Sequence, residues 1–218
     1  MLPNYERSAL LAMQTLIDNN ITATPIDPMP ILKKIKGVLV VSFTELSDLI
    51  NIDRTSLVSM FGSKQDASTY YVETEKIKYI VAYNQRLPFY MLQRGLSREL
   101  GHIVLGHDGV TRPDDVRSAE AYCFAHHLLC PRPLIRAIQN AKIPLTVEVI
   151  GNMTGCYERC LSGMRKEPAV YISPEINRAV KNLFADHIEN FLNFQRHFAT
   201  DDESAFANFG HFMDKYEE

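Results

Sequence analysis

Arg98-Glu99-Leu100-Gly101-His102 is one substitution away from H-E-x-x-H. In that motif residues four apart share a helix face, so two imidazoles grip one Zn²⁺ while the adjacent glutamate activates the bound water. Arg98 stands where the first imidazole would be, and a guanidinium cannot replace it, because it stays protonated and offers only donors. A zinc enzyme of this type takes its third protein ligand from a second helix. Glu120 lies eighteen residues beyond His102, a spacing that suits an antiparallel return. Cys123, one turn beyond Glu120 on the same face, offers a thiolate as a substitute ligand. The same residues also have a metal-free reading. Arg98 and Glu99 form a solvated pair, or Arg98 bridges to Glu120, and His102 is a hydrogen-bonded core residue. His107, just after Gly106, reads as surface, while His126 and His127 read as lining and binding residues of the cleft.

These residues need two helices behind them. Pro88 suits a first helical turn, where its missing N–H costs nothing, and Leu92, Leu96, Leu100 and Ile103 then fall on one face until Gly106 ends the helix. Asp114, after Pro113, reads as the N-cap of a second helix that carries Ala121, Phe124, Ala125 and Leu128 inward and stops at Pro131 and Pro133. Upstream, Tyr5 to Asn19 has helical spacing, and Pro25, Pro28 and Pro30 predict an extended stretch. Gly37 to Phe43 reads as a strand. Tyr70 to Val72 and Ile77 to Tyr83 read as a hairpin. Downstream come short helices over Leu134 to Ala141, Thr146 to Ile150 and from Thr154, with a break around Gly151-Asn152. A last helix runs from Pro174 to Phe194, and an acidic stretch over 200–218 frays. Phe184, Phe191, Phe194 and Phe198 on that helix predict core or a dimer contact.

A chain of 218 residues, 46% hydrophobic, can bury a substantial core. A formal charge of -3 gives no general attraction to nucleic acid, so direct DNA binding is not expected. No apolar run approaches the length of a membrane span, and the reading is a cytoplasmic protein. Cys123, Cys130, Cys156 and Cys160 lack Cys-x-x-Cys spacing and read as reduced thiols.

The run YIVAYNQRLPFYMLQRGLSRELGHIVLG, Tyr79 to Gly106, resembles the strand, loop and active helix of the ImmA/IrrE metallo-endopeptidases. EAYCFAHHLLCPRPLI, Glu120 to Ile135, resembles the helix that carries that family's third ligand. The resemblance implies an α+β fold, in which a zincin-like peptidase core over 1–131 packs a small sheet on an active-site helix pair. A helical C-terminal region over 132–218 follows, with a helix-turn-helix-like segment at Thr146 to Lys166 whose charge is Arg159, Arg165 and Lys166. It further implies metal ligation by His102 and Glu120, a general-base role for Glu99, and a regulatory protein substrate, typically a helix-turn-helix repressor encoded on a phage or mobile element. Arg98 in the first ligand's place predicts weak or absent zinc. Two activities follow as alternatives: a zinc peptidase that cuts its partner, or a degenerate pseudopeptidase that binds it.

Overall fold

The computed structural model describes residues 2–53, 56, 66–72, 74–107, 113–156 and 168–198. Helix α1 spans Tyr5–Asp18, opened by the Asn4 side chain accepting from the Arg7 amide. Its inward stripe Ala9, Ala12, Met13 and Leu16 is fully buried. The prolines that predict an extended stretch instead open a short helix, α2, over Pro28–Lys34. Asp27 caps it, and Pro28 and Pro30 both sit in the first turn, where no intrahelical N–H is required.

Strand β1 (Val38–Ser42) ends in a helix, α3 (Phe43–Ile50), that the strand reading of Gly37 to Phe43 overruns. Ser42 and Glu45 form a reciprocal capping box that turns the chain at this point. Strands β2 (Ala67–Tyr71) and β3 (Tyr79–Tyr83) pair antiparallel as the expected hairpin, with Tyr70 opposite Ile80. β2 begins three residues before the predicted run. β1 joins β3 in parallel, Val40 opposite Val81, giving a mixed sheet ordered β1-β3-β2.

Against this sheet lies α4 (Phe89–Val104), preceded by Pro88 as its N-cap residue. Leu96, Leu100 and Ile103 are buried, and Leu92 is half-buried. Helix α5 (Asp114–Leu129) returns alongside it, with Pro113 rather than Asp114 at the cap and Asp114 in the first turn. α5 is held between α4 and α1, so its second half is buried apart from Tyr122. Gly101 sits at the closest approach of the pair: a Cβ there would meet Phe124 Cδ1 at 3.0 Å and the Ala121 carbonyl at 3.1 Å.

α5 ends before Pro131, as the prolines predict, and Pro133 then lies in the first turn of α6 (Arg132–Asn140). α7 (Val147–Thr154) then runs straight through Gly151-Asn152, so the predicted break there is absent. The turn comes instead at Gly155, in left-handed backbone at φ +68. Cys156 follows it, and Cys160, Arg159, Arg165 and Lys166 lie outside the described residues, as does the rest of the helix-turn-helix-like segment from 157. The single last helix is two, α8 (Pro174–Leu183) and α9 (Ala185–Phe198), separated at Phe184, whose ring is fully buried. One hydrophobic core runs from Ala9 through Leu100 and Phe124 to Ile138, Val180 and Ile188. The architecture is α+β, a small mixed sheet among helices.

Candidate functional site

The sheet and the α4–α5 pair enclose an open cleft of about 400 Å³. Glu99, Arg98 and His102 reach it from α4, Arg117, Ser118 and Tyr122 from α5, Ser68 and Thr69 from β2, and His107 from the turn beyond α4. The core stripe of α4 faces the other way, and this leaves the Arg98 to His102 turn over the cleft.

Arg98 is directed at Glu99. Its Nε donates to Glu99 Oε1 at 2.9 Å and a terminal N–H to the same oxygen at 2.6 Å. The remaining donors reach the Ala67 carbonyl at 3.0 Å and the Tyr122 hydroxyl at 3.3 Å, and the guanidinium carbon lies 5.6 Å from the Tyr122 ring centre. The pair is buried rather than solvated, and Arg98 does not bridge to Glu120: the Glu99 side chain is 4% exposed and the Arg98 side chain 19%. Burial works to lower the Arg98 pKa, but Glu99 and Tyr122 together outweigh it and hold the guanidinium firmly charged. Burial also pushes the Glu99 carboxyl above its ordinary range, and Arg98 pulls against that shift. Asp66, itself buried, receives Arg94 at 3.3 Å and approaches Arg98 at 3.8 Å, so the group is a chain of alternating charge.

His102 and Glu120 do share one site, but a third residue joins them. His107 Nδ1 meets His102 Nδ1 at 3.0 Å, and His107 Nε2 meets Glu120 Oε2 at 2.9 Å. Glu120 is fully buried, and its other oxygen accepts the Asn4 amide N–H at 2.7 Å. With His107 Nε2–H donating to Glu120, His107 Nδ1 accepts from His102 Nδ1–H. Burial, then the neighbours His107, Arg98 and Arg117, push the His102 pKa down to about 3, which keeps the ring neutral.

The reading of His107 as surface is therefore overturned: it is 7% exposed. Its backbone explains why. Gly106 takes φ +71, its N–H bonds the Ile103 carbonyl, and the His107 N–H bonds the His102 carbonyl at 2.9 Å. This is a Schellman turn, and it folds the chain back so that residue 107 stands beside residue 102. The signal was present in sequence as a glycine four residues after His102, the last position of the motif, followed at once by an imidazole.

Cys123 does not enter the cleft. Its thiol is buried and lies 3.5 Å from the Tyr5 carbonyl, on the α1 side of α5. His126 and His127 are also buried and are not among the residues that line the cleft. Burial and then Arg132 push the His127 pKa down to about 3.

A zinc ion needs lone pairs that converge on one point. Here the first ligand's position holds a cation, the adjacent glutamate is bound by that cation, and the two surviving ligand types are joined in a line through His107. No group of three or more His, Cys, Asp or Glu among the described residues is arranged to hold a metal. The donor set as it stands does not fit zinc. No family model, curated protein or solved structure matches the chain.

Proposed function

We propose that this chain is a zincin-derived protein of the ImmA/IrrE type whose cleft holds a partner protein instead of cutting it. The observation that supports this most is the pair of hydrogen bonds from Arg98 to Glu99 Oε1, at 2.6 and 2.9 Å. The residue that would act as base is thereby engaged by the residue that would have been a ligand. A general base must be free to take a proton from its substrate, and a carboxylate under two charge-assisted bonds is not. In this reading Arg98, Tyr122 and Ser68 present polar contacts to a bound segment, and the Glu120–His107–His102 line holds the floor of the cleft rigid. The partner is a regulatory protein, a helix-turn-helix repressor by the resemblance, and the protein works in the cytoplasm. Among the described residues no helix is long and apolar enough to cross a membrane.

The test measures metal content and proteolysis on the same purified full chain. Well under one zinc per chain, weak binding in a zinc titration, and intact unfolded casein after long incubation are expected. One tightly held zinc together with chelator-sensitive cleavage would overturn the reading. Arg98→His supplies the counterpart, since a neutral imidazole one turn from His102 restores the ligand pattern. It should bind zinc more tightly than the parent, and equal, weak affinity would show that the cleft has diverged beyond the one ligand.

A further inference from the structure

Away from the cleft, α6, α8 and α9 enclose a groove of about 540 Å³. Ala137, Ile188 and Leu192 form its apolar floor, and Arg136, Arg178, Lys181 and Arg196 stand around it. All four cations are exposed, and among the described residues none of them pairs with a carboxylate. Among the described residues no acidic side chain lines the groove, and its continuation along α9 adds only Glu189. In a chain of net charge -3, four like charges gathered over an apolar trough form a local anion-attracting field.

The complementary chemistry stands next in the chain. α9 ends at Phe198, two residues beyond Arg196. Asp201, Asp202 and Glu203 come next, then Phe206, Phe209 and Phe212, all outside the described residues. From the end of α9 at Phe198, at about 3.3–3.6 Å per residue, Asp201 can reach roughly 10 Å and Phe206 roughly 27 Å. Tethering gives such a segment an effective concentration on the order of millimolar, so individually weak ion pairs are enough to seat it.

We propose that this groove is the docking site of the chain's own segment 201–206. Asp201, Asp202 and Glu203 lie against Arg136, Arg178, Lys181 and Arg196, and Phe206 rests on the apolar floor. An acidic segment of any partner must displace it, so the segment acts as a resident competitor for this surface. The inference stands apart from the reading of the cleft and does not depend on it.

The experiment places the photoreactive p-benzoylphenylalanine at position 206 of the full chain, irradiates it, and maps the cross-links by mass spectrometry. Cross-links to α6, α8 or α9 within one chain are expected, with a yield independent of protein concentration. Asp201→Lys/Asp202→Lys/Glu203→Lys should lower that yield several-fold, as should high salt. Adding Arg136→Glu/Arg178→Glu/Lys181→Glu to the reversed segment should restore it, which a misfolded variant would not do. Absent cross-links, cross-links elsewhere, or a yield unmoved by charge reversal would overturn the proposal. Cross-links between chains that grow with concentration would overturn it in favour of a second copy. A fluorescent DNA duplex bound by the full chain, and released by Arg178→Glu/Lys181→Glu, would overturn it in favour of nucleic acid.

Discussion

Removing the Arg98 guanidinium while leaving Glu99 in place tests the central contact most directly. Arg98→Met keeps the aliphatic stem but withdraws both donors from a carboxylate whose side chain is 4% exposed. Breaking a buried pair from one side costs about 3–5 kcal/mol. Arg98 is itself 19% exposed, and Glu99 can escape by taking a proton, so a value at or just below that range, about 2–3 kcal/mol, is expected. Glu99→Gln leaves Arg98 its bonds to Tyr122 and Ala67 and the nearby Asp66, so about 1–2 kcal/mol is expected there. If the two side chains stabilise each other as the geometry requires, the double variant recovers about 2 kcal/mol relative to the sum. Urea unfolding followed by circular dichroism measures all four corners of the cycle, with unchanged m-values as the check on two-state behaviour. The pH dependence gives a second readout. Without Arg98, burial is the largest influence on Glu99 and the Asp66 charge acts in the same direction, so the folded state binds a proton more tightly than the unfolded one, and the Arg98→Met deficit must shrink as pH falls. Additivity within about 0.5 kcal/mol, or a deficit that does not shrink toward low pH, would refute the argument.

Gly95→Ala would place a Cβ 2.7 Å from Asp66 Cγ, and should destabilise by about 1–3 kcal/mol despite the better helix propensity of alanine, read by thermal unfolding. Gly106→Ala meets no atom within 4 Å but must hold φ +71, so a loss of about 1–2 kcal/mol is expected. NMR of the His107 ring should show its contact to His102 weakened in that variant. The His127 pKa is lowered from 6.5 to about 3 on folding, so its contribution is complete above pH 6.5 and is lost as pH falls toward 3, where the unfolded chain binds the proton first. His127→Gln should therefore flatten the fall in urea midpoint across that window, and an unchanged slope would show that the ring is not the titrating group.

The long elements were legible because burial on one face writes a period into the chain: Leu96, Leu100 and Ile103 on α4, and Phe124 and Leu128 on α5, mark the two helices that carry the site. The short ones were not, because their signals are local and were outvoted. Ser42 and Glu45 spell a capping box, yet the β-branched run before them carried the strand reading one residue too far. Pro28 and Pro30 break helices in general but not in a first turn, which only the Asp27 cap reveals. Within the site, sequence spacing put Glu99, His102 and Glu120 forward as candidates but could not give direction. The turn at Gly106 brings His107 between two residues eighteen apart, and the rotation of α5 sends Cys123 toward α1. The break at Phe184 has no marker, since Val180, Phe184 and Ile188 keep helical spacing across it.

The bond from the Asn4 amide to Glu120 joins positions 116 apart, and Arg7 beside it donates to the Leu105 carbonyl at the end of α4. The first helix is thus made early and finds its partner late. On a chain growing from its N-terminus, the α1 face must wait with Ala9, Met13 and Leu16 uncovered until α5 has been synthesised. Closing so long a loop is slow relative to forming the helices themselves.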